Sequence, residues 1–477
     1  MSGLAAGLAG PRSAPAGDTS SQGGRSAGAD DRPNVILVMS DDQGWKDAGY
    51  QGHSVLQTPA LDEMAESGLR FDRWYAATPV CSPTRGSCLT GRHPRRYGID
   101  KANEGRLPPE EVTLAELLRT RGYLTGHFGK WHVGALTTTV KDSNRGGPGA
   151  EDIYSPPWEN GFEVCFSTES RMPTWDPMVS PPPEAGFLRR CQQPGKSFQS
   201  YYWTGPGQVA TDNLDGDDSR IIMDRVVPFL RRANREGRPF FAVVWFHAPH
   251  EPIVAGPEYR ALYEDRPEKE QHYYGTITAM DEQIGRLRSA LRRLGVAEDT
   301  MLWFCSDNGP AGQRATDRAQ GDAGPFRNRK GSLYEGGIRV PGLLEWPGVI
   351  DQGRTTSISC CTSDYLPTVL DILGLSPPEQ AKPLDGISLR PVIEGRMDER
   401  PEPIAFDRGE QQALIGRRYK LVAQGREAPT YELYDLLNDP GETADLSSEQ
   451  PARVARMSER LAAWTRSVER SRRGEDY

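Results

Sequence analysis

The sequence predicts an α/β fold, in which a mainly parallel sheet is sandwiched between helices and followed by a small C-terminal α+β subdomain. Apolar runs alternate with helical patterns along most of the chain, which is typical of parallel strands that are buried on both faces. After about residue 398 the pattern changes to short strands of antiparallel character and a final helix. The chain has 477 residues, which is enough for a large core and for more than one domain.

The central strands of the predicted sheet are four mainly apolar runs. They span residues 34–39, 123–128, 240–245 and 300–305. Helices are predicted at residues 58–65, 113–121, 219–234 and 271–294. Thr58 and Thr113 are expected to act as N-caps, with Glu116 completing a capping box, and Pro228 predicts a kink or break in the third helix.

Composition divides the chain into three predicted segments. They are a disordered segment rich in Gly, Ala and Ser, a main domain that carries the sheet, and a C-terminal subdomain, at residues 1–31, 32–397 and 398–477. In the subdomain, residues 419–422 and 431–436 are predicted as antiparallel strands and residues 450–469 as an amphipathic helix.

The first 31 residues also bear on localisation. They lack a basic n-region followed by an apolar h-region, so they do not form a typical signal peptide. They are consistent with the remnant or linker of an exported protein, which favours a periplasmic or secreted location. A cytoplasmic location is expected if they are not a processed export segment.

Charge and cysteine content exclude some classes of function. The net charge of −9 argues against sequence-independent nucleic-acid binding, and no apolar run is long enough to span a membrane. Seven cysteines are an odd number and predict no dense disulfide framework. Cys305 is expected to be a buried thiol, and Cys360 and Cys361 to serve packing.

Between about residues 134 and 215 regular patterns dissolve, while Pro, Gly and Trp accumulate. We expect this segment to form loops around a pocket. Trp175 and Trp203 could stack on a sugar ring, because aromatic faces offer large rigid contact areas. The alternative is that both tryptophans simply pack a loop.

Polar and reactive residues follow each of the four central strands. They are Asp41 and Asp42, Lys130 and His132, His247 and His250, and Asp307 and Asn308. Because ligands bind beyond the carboxyl ends of strands in open α/β sheets, these residues predict one shared site.

The predicted site contains two chemical sets. The first is all oxygen, and such hard donors suit Ca²⁺ or Mg²⁺ rather than zinc; its members are Asp41, Asp42, Asp307 and Asn308. The second is cationic and suits an anionic ester; its members are Arg85, Lys130, His132, His247 and Lys330. Taken singly, these residues could instead be helix caps, turns, surface lysines or core histidines.

Cys81 stands in the run Cys81-Ser82-Pro83-Thr84-Arg85, which continues to Gly91. Pro83 suits the first turn of a helix and Ser82 the N-cap. Cys81 would then lie at a helix N-terminus, where backbone N–H groups favour an anion. The alternatives are a plain buried cysteine or a Cys81–Cys88 disulfide.

These motifs together resemble those of type I, formylglycine-dependent sulfatases, the arylsulfatase-like members of the alkaline phosphatase superfamily. The resemblance covers about residues 32–445. It is carried by Pro33-Asn34, Asp41-Asp42, residues 81–91, Gly129-Lys130-Trp131-His132, His247-Ala248-Pro249-His250, Asp307-Asn308-Gly309, Lys330-Gly331 and residues 334–341.

The resemblance implies an alkaline-phosphatase-like fold and a sulfuric ester hydrolase. A maturation enzyme would convert Cys81 to formylglycine. Ca²⁺, rather than Mg²⁺, would lie beside residue 81 and be held with it by Asp41, Asp42, Asp307 and Asn308. Arg85 would stabilise the formylglycine diol, and one hydroxyl of this diol would attack sulfur.

The same resemblance distributes the remaining roles. Lys130, His247 and Lys330 would bind sulfate, with His247 also donating a proton to the leaving alcohol. His132 would then remove the proton from the second hydroxyl, so that sulfate leaves.

His250 and Arg339 are expected to contact the substrate, for which a sulfated carbohydrate or other sulfated small molecule is predicted. The alternatives are a phosphonate or phosphate ester hydrolase of the same superfamily and a non-catalytic anion- or glycan-binding protein.

Overall fold

A computed structural model describes residue 3 and residues 32–181, 194–312, 321–350 and 353–476. The predicted disorder of residues 1–31 therefore falls almost entirely outside the described residues, and so does Cys191. Within the described part of the chain, no helix is both long enough and apolar enough to cross a bilayer.

The bounds of the regular elements follow the chain order. The strands are β1 Asn34–Ser40, β2 Leu69–Phe71, β3 Trp74–Tyr75, β4 Leu124–Lys130, β5 Val164–Thr168, β6 Trp203–Gly205, β7 Gln208–Val209, β8 Phe240–Trp245, β9 Thr300–Ser306, β10 Arg339–Val340, β11 Gly342–Glu345, β12 Arg354–Thr356, β13 Cys360–Cys361, β14 Ile404–Arg408, β15 Gln411–Ile415, β16 Tyr419–Gln424 and β17 Thr430–Asp435. The α-helices are α1 Pro59–Ser67, α2 Cys81–Thr90, α3 Leu114–Arg119, α4 Asp218–Glu236, α5 Pro257–Ala261, α6 Glu268–Leu294, α7 Glu335–Ile338, α8 Tyr365–Ile372, α9 Arg390–Ile393 and α10 Pro451–Arg472.

A large sheet with the strand order β12-β2-β11-β9-β1-β8-β4-β5-β6-β7 organises the molecule. Its centre is parallel: β1 pairs with β8 on one side and β9 on the other, and β4 pairs with β8 and β5. Antiparallel strands continue both sides, with β11 against β9 and β6 against β5. The predicted mainly parallel α/β fold is confirmed.

Both faces of this sheet are buried, as the apolar runs predicted. In β1 the side chains of Val35 and Leu37 lie in one hydrophobic cluster, and those of Ile36 and Val38 lie in the other. Burial of each such side chain contributes roughly 1.5–3 kcal/mol to stability. The continuous apolar character of β1 is therefore a consequence of having helices on both sides.

Both predicted N-cap residues lie at the start of their helices, but only one of them makes a capping hydrogen bond. Thr113 and Glu116 form the predicted capping box at α3. At α1, Thr58 occupies the N-cap position as predicted, but its side chain makes no capping hydrogen bond. The carboxylate of Asp281, on α6, instead accepts from the N–H groups of Ala60 and Leu61, both at 2.8 Å.

The α4 helix continues across Pro228 rather than ending there. Its apolar face, which includes Ile222, Val226 and Phe229, is buried in the core. We attribute the continuity to this packing, which offsets the hydrogen bond that a proline cannot donate.

The segment between residues 134 and 215 is more regular than expected. It contributes β5, β6 and β7 to the edge of the large sheet, so the prediction of loops alone is wrong. Trp203, in β6, is 2 % exposed and donates its ring N–H to Asp142 at 2.5 Å, which excludes stacking on a sugar. Trp175 packs closely against the backbone of Gly256.

The C-terminal part forms an antiparallel sheet in the order β14-β15-β16-β17, followed by α10. The sequence predicted two of these strands and the helix. The sheet shares a hydrophobic cluster with Tyr75 and Ile338 of the preceding part, through Phe406 and Val422 among others. The boundary between residues 397 and 398 stays a prediction.

Candidate active site

The carboxyl ends of four adjacent strands bring the predicted site residues to one edge of the sheet. The order β9-β1-β8-β4 places Asp307, Asp41, His247 and Lys130 at or just beyond neighbouring strand ends. Backbone hydrogen bonds join these ends: Asp41 N–H donates to Ala248 O at 2.9 Å, and Asp307 N–H donates to Ser40 O at 3.1 Å.

Three residues at this edge of the sheet have unusual backbone conformations, with positive φ. Gly129 has φ +95°, and a Cβ on it would lie 2.0 Å from Trp245 O, so no other residue fits. Asp42 and His132 also have positive φ, 65° and 63°. Such conformations are uncommon outside glycine and cluster at functional sites.

Cys81 is the first residue of α2, and Val80 is the N-cap. The expected position of Cys81 at a helix N-terminus is therefore confirmed, but the expected cap, Ser82, is wrong. Ser82 Oγ instead accepts from Asn103 N–H at 3.2 Å. Cys81 and Cys88 are both free thiols, which rules out the disulfide alternative.

The thiol of Cys81 is 2 % exposed. Burial raises the pKa of this thiol, although Lys130 and Lys330 act to lower it. Since the thiolate is the nucleophilic form of cysteine, the unmodified side chain is poorly suited to attack an ester.

Side-chain atoms that could bind a metal ion cluster around Cys81. One oxygen or sulfur atom each of Asp41, Asp42 and Cys81, and a ring nitrogen of His250, lie within 4.8 Å of one another. Two buried oxygens, Asp41 Oδ1 and Asn308 Oδ1, have no hydrogen-bond partner among the residues that the structure describes. Unpartnered buried oxygens are costly, and a hard cation would satisfy both.

Three cations pair with the three carboxylates of the site. Lys130 Nζ lies 2.5 Å from Asp41 Oδ2, and Arg85 lies 2.7 Å from Asp307 Oδ2 and 3.5 Å from Asp41 Oδ2. Lys330 Nζ contacts Asp42 and lies 3.4 Å from Cys81 Sγ. Lys330 thus joins the acidic cluster directly to residue 81.

The pKa values of two carboxyl groups move in opposite directions. Burial acts to raise the pKa of Asp42, but Lys330 and His250 outweigh it and hold the pKa well below its usual range. Burial and the neighbouring Asp41 raise the pKa of Asp307 to about 6, despite Arg85. The crowding of carboxylates is therefore only partly relieved by the cations.

The two residues expected to contact substrate lie in different surroundings. His250 Nε2 is 3.8 Å from Asp42 Oδ2, so this side chain is part of the acidic cluster. Arg339 directs its guanidinium elsewhere: it donates to Asp72 O at 2.9 Å, pairs with Glu335 at 3.5 Å and lies over the ring of Phe326. Its expected contact with substrate stays a prediction.

His247 is held by two residues that the sequence reasoning missed. Its Nδ1 lies 2.8 Å from Asp218 Oδ2, and its Nε2 lies 2.7 Å from Thr168 Oγ1. Thr168 ends β5, inside the segment predicted as loops, although Val164–Thr168 follows an apolar pattern that could have indicated a strand. Asp218 is the first residue of α4.

His132 is held by a third missed residue. Its Nε2 lies 2.6 Å from Asn103 Oδ1, and its backbone oxygen accepts from Arg145 at 3.0 Å. Burial and the nearby Lys130 and Arg145 hold the pKa of His132 well below its usual range. These surroundings therefore favour the neutral ring, in which one nitrogen keeps a free electron pair.

This arrangement combines three capacities in one buried pocket. Cations next to residue 81 can bind an anionic group, the oxygen cluster can hold a hard cation, and the two histidines can exchange protons. Together these capacities suit the hydrolysis of an anionic ester.

Comparison with known proteins also indicates an enzyme that hydrolyses an anionic ester. The family model described as Sulfatase matches residues 33–375, and the model described as N-sulphoglucosamine sulphohydrolase, C-terminal, matches residues 321–467. Together these two models span most of the chain.

Among curated proteins, the chain is similar to human N-acetylgalactosamine-6-sulfatase, with 31% identity over 401 residues that cover 80% of this chain and 70% of the relative. It is also similar to human arylsulfatase A, with 33% identity over 371 residues that cover 76% and 68%. Among solved structures, Ps i-CgsB in complex with k-i-k-neocarrahexaose superposes with a TM-score of 0.76 and 26% identity, covering 91% of this chain and 92% of the other.

Proposed function

This chain belongs to the sulfatase family, and from that premise we propose that it hydrolyses the sulfate ester of a sulfated carbohydrate, using a formylglycine made from Cys81 and a bound Ca²⁺. Membership of the family makes the chain a sulfuric ester hydrolase with the alkaline-phosphatase-like fold expected from its sequence. The nature of the substrate, the modification and the metal ion are the parts that we propose.

The surroundings of Cys81 carry the proposal. The thiol is buried at the start of α2 and lies 3.4 Å from Lys330 Nζ, yet burial raises its pKa. As a cysteine, residue 81 is a poor nucleophile in this cluster of paired cations and carboxylates, but it gains a clear role once it is oxidised to a hydrated aldehyde. The modification would supply hydroxyl groups as the nucleophile.

The residues fit a Ca²⁺ ion. Asp41, Asp42, Asp307 and Asn308 would hold it with residue 81, because all four side chains are buried and two of their oxygens lack hydrogen-bond partners within the described part of the chain. His250 lies at the margin of the same cluster. When bound, the ion would supply positive charge that favours an anionic substrate and the deprotonated form of a nearby hydroxyl.

The side chains of the pocket divide the remaining work. Lys130 and Lys330 would bind sulfate oxygens, and a bound cation would balance the charge of Asp41 and Asp42. Arg85, which is fixed by Asp307 and by Lys130 O at 3.0 Å, would orient residue 81. His247 would donate a proton to the leaving alcohol, and neutral His132 would accept one as sulfate departs.

A carbohydrate is the proposed substrate because two of the similar proteins carry carbohydrate names. One relative is named for N-acetylgalactosamine 6-sulfate, and one similar structure contains a neocarrahexaose. The proposed maturation partner is a formylglycine-generating enzyme, and the proposed location is the periplasm or the cell exterior.

The test begins with the residue 81 peptide. The protein would be produced with and without a formylglycine-generating enzyme, and mass spectrometry would measure the conversion of Cys81. Matured protein should release sulfate from a panel of sulfated mono- and oligosaccharides, in proportion to conversion. Parallel phosphate and phosphonate esters test the alternative ester class. Turnover by protein whose Cys81 thiol is fully retained would overturn the proposal.

A further inference from the structure

The ring of His132 is hydrogen-bonded on one side only. Its Nε2 lies 2.6 Å from Asn103 Oδ1, whereas its buried Nδ1 has no hydrogen-bond partner in the described structure. An amide oxygen accepts hydrogen bonds and does not donate them, so this contact places a proton on Nε2. In the neutral ring, Nδ1 then carries the free electron pair.

We propose that Asn103 is a positioning residue, which fixes His132 as the Nε2-protonated tautomer and makes Nδ1 the atom that accepts a proton during sulfate release. The tautomer follows from the contacts of this structure, while its catalytic use rests on the function proposed above. In that step Nδ1 takes the proton from the free hydroxyl of the hydrated residue 81. The O–H electron pair forms the C=O bond, and the bond from the same carbon to the sulfate oxygen breaks, so that sulfate leaves with that electron pair.

The charges around His132 favour its neutral ring. Lys130, Arg85 and Arg145 lie near the ring on different segments, and so does His250, whose own pKa burial and Lys130 hold well below its usual range. Positive neighbours disfavour a second proton on the ring, so one nitrogen keeps its free electron pair. Glu169 Oε1 lies 3.8 Å from Arg145 Nε, but burial raises the pKa of Glu169 to about 8, so this carboxyl group offsets little of the positive charge near neutral pH.

The position of Asn103 is set by its own turn. Asn103 is exposed and has φ 66°, a conformation that asparagine tolerates better than most residues. Its N–H donates to Ser82 Oγ at 3.2 Å, next to residue 81. Arg145 ties the same turn to His132 by donating to Gly105 O at 2.5 Å and to His132 O at 3.0 Å.

The tautomer can be measured without any catalysis. Nitrogen NMR of the full chain, labelled with ¹⁵N-histidine and with Cys81 unmodified, distinguishes a protonated from an unprotonated ring nitrogen. The signals of His132 are assigned by their loss in His132→Gln. We expect a protonated Nε2 and an unprotonated Nδ1 near neutral pH. A proton on Nδ1, or a mixture of tautomers, overturns the proposal.

Two substitutions separate positioning from folding. Asn103→Gly keeps the left-handed backbone but removes the acceptor, so His132 should populate both tautomers and kcat of the matured enzyme should fall about ten-fold. Asn103→Asp places a carboxylate at Nε2, which should protonate both nitrogens at neutral pH. Its kcat should fall at neutral pH and recover as pH rises, with KM little changed.

Asn213 supplies the matched control. It is another exposed asparagine with positive φ, 53°, and it is hydrogen-bonded to Asp224 and Arg220 rather than to a histidine. Asn213→Gly should leave both the His132 signals and kcat unchanged. An unaltered pH profile in Asn103→Asp would overturn the catalytic assignment.

The two proposals fail in different ways. If the expected tautomer is seen but matured protein releases no sulfate from any ester tested, the proposed function is wrong, and so is the role of Nδ1 in sulfate release. If sulfate is released but Nδ1 carries the proton, only the inference about Asn103 is wrong.

Discussion

Asp218 Oδ2 lies 2.8 Å from His247 Nδ1, and both side chains are buried. The other carboxylate oxygen of Asp218 accepts the hydroxyl of Tyr202. Asp218 thereby fixes the ring of His247 with Nε2 directed toward Thr168, at 2.7 Å. The two histidines of the pocket thus have different partners: a carboxylate holds His247, and an amide holds His132.

The contact between Asp218 and His247 predicts that the loss of activity on replacing Asp218 depends on the leaving group of the substrate. Asp218→Asn should lower kcat for sugar sulfates, whose alkoxide leaves poorly without a proton, by about 100-fold. For an aryl sulfate with an acidic phenol the loss should be small, since such a group leaves unprotonated. Steady-state kinetics on both substrates check this.

Asp217→Asn is the matched control for Asp218→Asn. Asp217 is the adjacent carboxylate and caps α4 by accepting from Arg220 N–H at 2.9 Å. Equal losses on sugar and aryl sulfates in Asp218→Asn, or the same pattern in Asp217→Asn, would contradict a proton-donor role for His247.

Replacement of Cys81 tests the need for two hydroxyl groups on residue 81. Cys81→Ala should abolish turnover. Cys81→Ser should at most become sulfated slowly and remain so, because a serine ester has no second hydroxyl with which to expel sulfate. Intact-mass spectra after incubation with substrate would show this trapped adduct, and multiple turnover by either variant would contradict the mechanism.

Calcium should stabilise the folded protein. At a hundredfold excess over its Kd, a ligand that binds only the native state adds about 2.7 kcal/mol of stability. We expect Ca²⁺ to raise the Tm of chelator-treated protein and Asn308→Ala to remove this rise. Differential scanning calorimetry with and without Ca²⁺ measures it, with Asp224→Asn, on α4, as the control. A full Ca²⁺-dependent rise in Asn308→Ala would place the ion elsewhere.

Because the carboxyl group of Glu169 is buried, we expect the stability of the folded protein to depend on pH. Burial raises its pKa to about 8, although Leu136 N–H and Arg145 act to lower it. The folded state therefore binds this proton more tightly than the unfolded state does, and the stability gained is lost as pH rises from about 4.5 to about 8. Glu169→Gln is neutral throughout and should avoid this loss.

The measurement for Glu169 is the difference in Tm between Glu169→Gln and wild type. This difference should increase with pH across the same window and level off outside it. A difference that does not vary with pH would show that Glu169 is ionised across the whole range.

Much of the fold could be predicted because its signals are local. The strand Phe240–Trp245 was predicted with its observed bounds, since an unbroken apolar run has few alternatives in a buried sheet. The strand ending at Thr168 was missed, because it is short and lies among irregular segments. The N-cap position of α1 was predicted, but the carboxylate that accepts from its first N–H groups was missed, because Asp281 comes from a helix more than 200 residues later.

For the site as well, the sequence could identify residues but not the contacts between them. Asp41, Asp42, Lys130, His247, Asp307 and Asn308 could be nominated from the sequence, because each follows an apolar run and parallel strands bring their carboxyl ends to one edge. Cys81 and Arg85 could be nominated from their motif. None of these signals indicated which side chain would contact which.

By itself the sequence determined the layered α/β architecture and the residue types at its active edge, because hydrophobic periodicity and strand-end polarity are written within short stretches of chain. Only the tertiary structure decided that Asn103 holds His132 and that Asp218 holds His247. Those hydrogen bonds join residues 29 positions apart in both pairs, and no local pattern encodes a partner across such a distance. Proton placement at the site therefore depends on how the segments pack, whereas the supply of reactive groups depends on local features of the chain, namely the strand ends and the motif around Cys81.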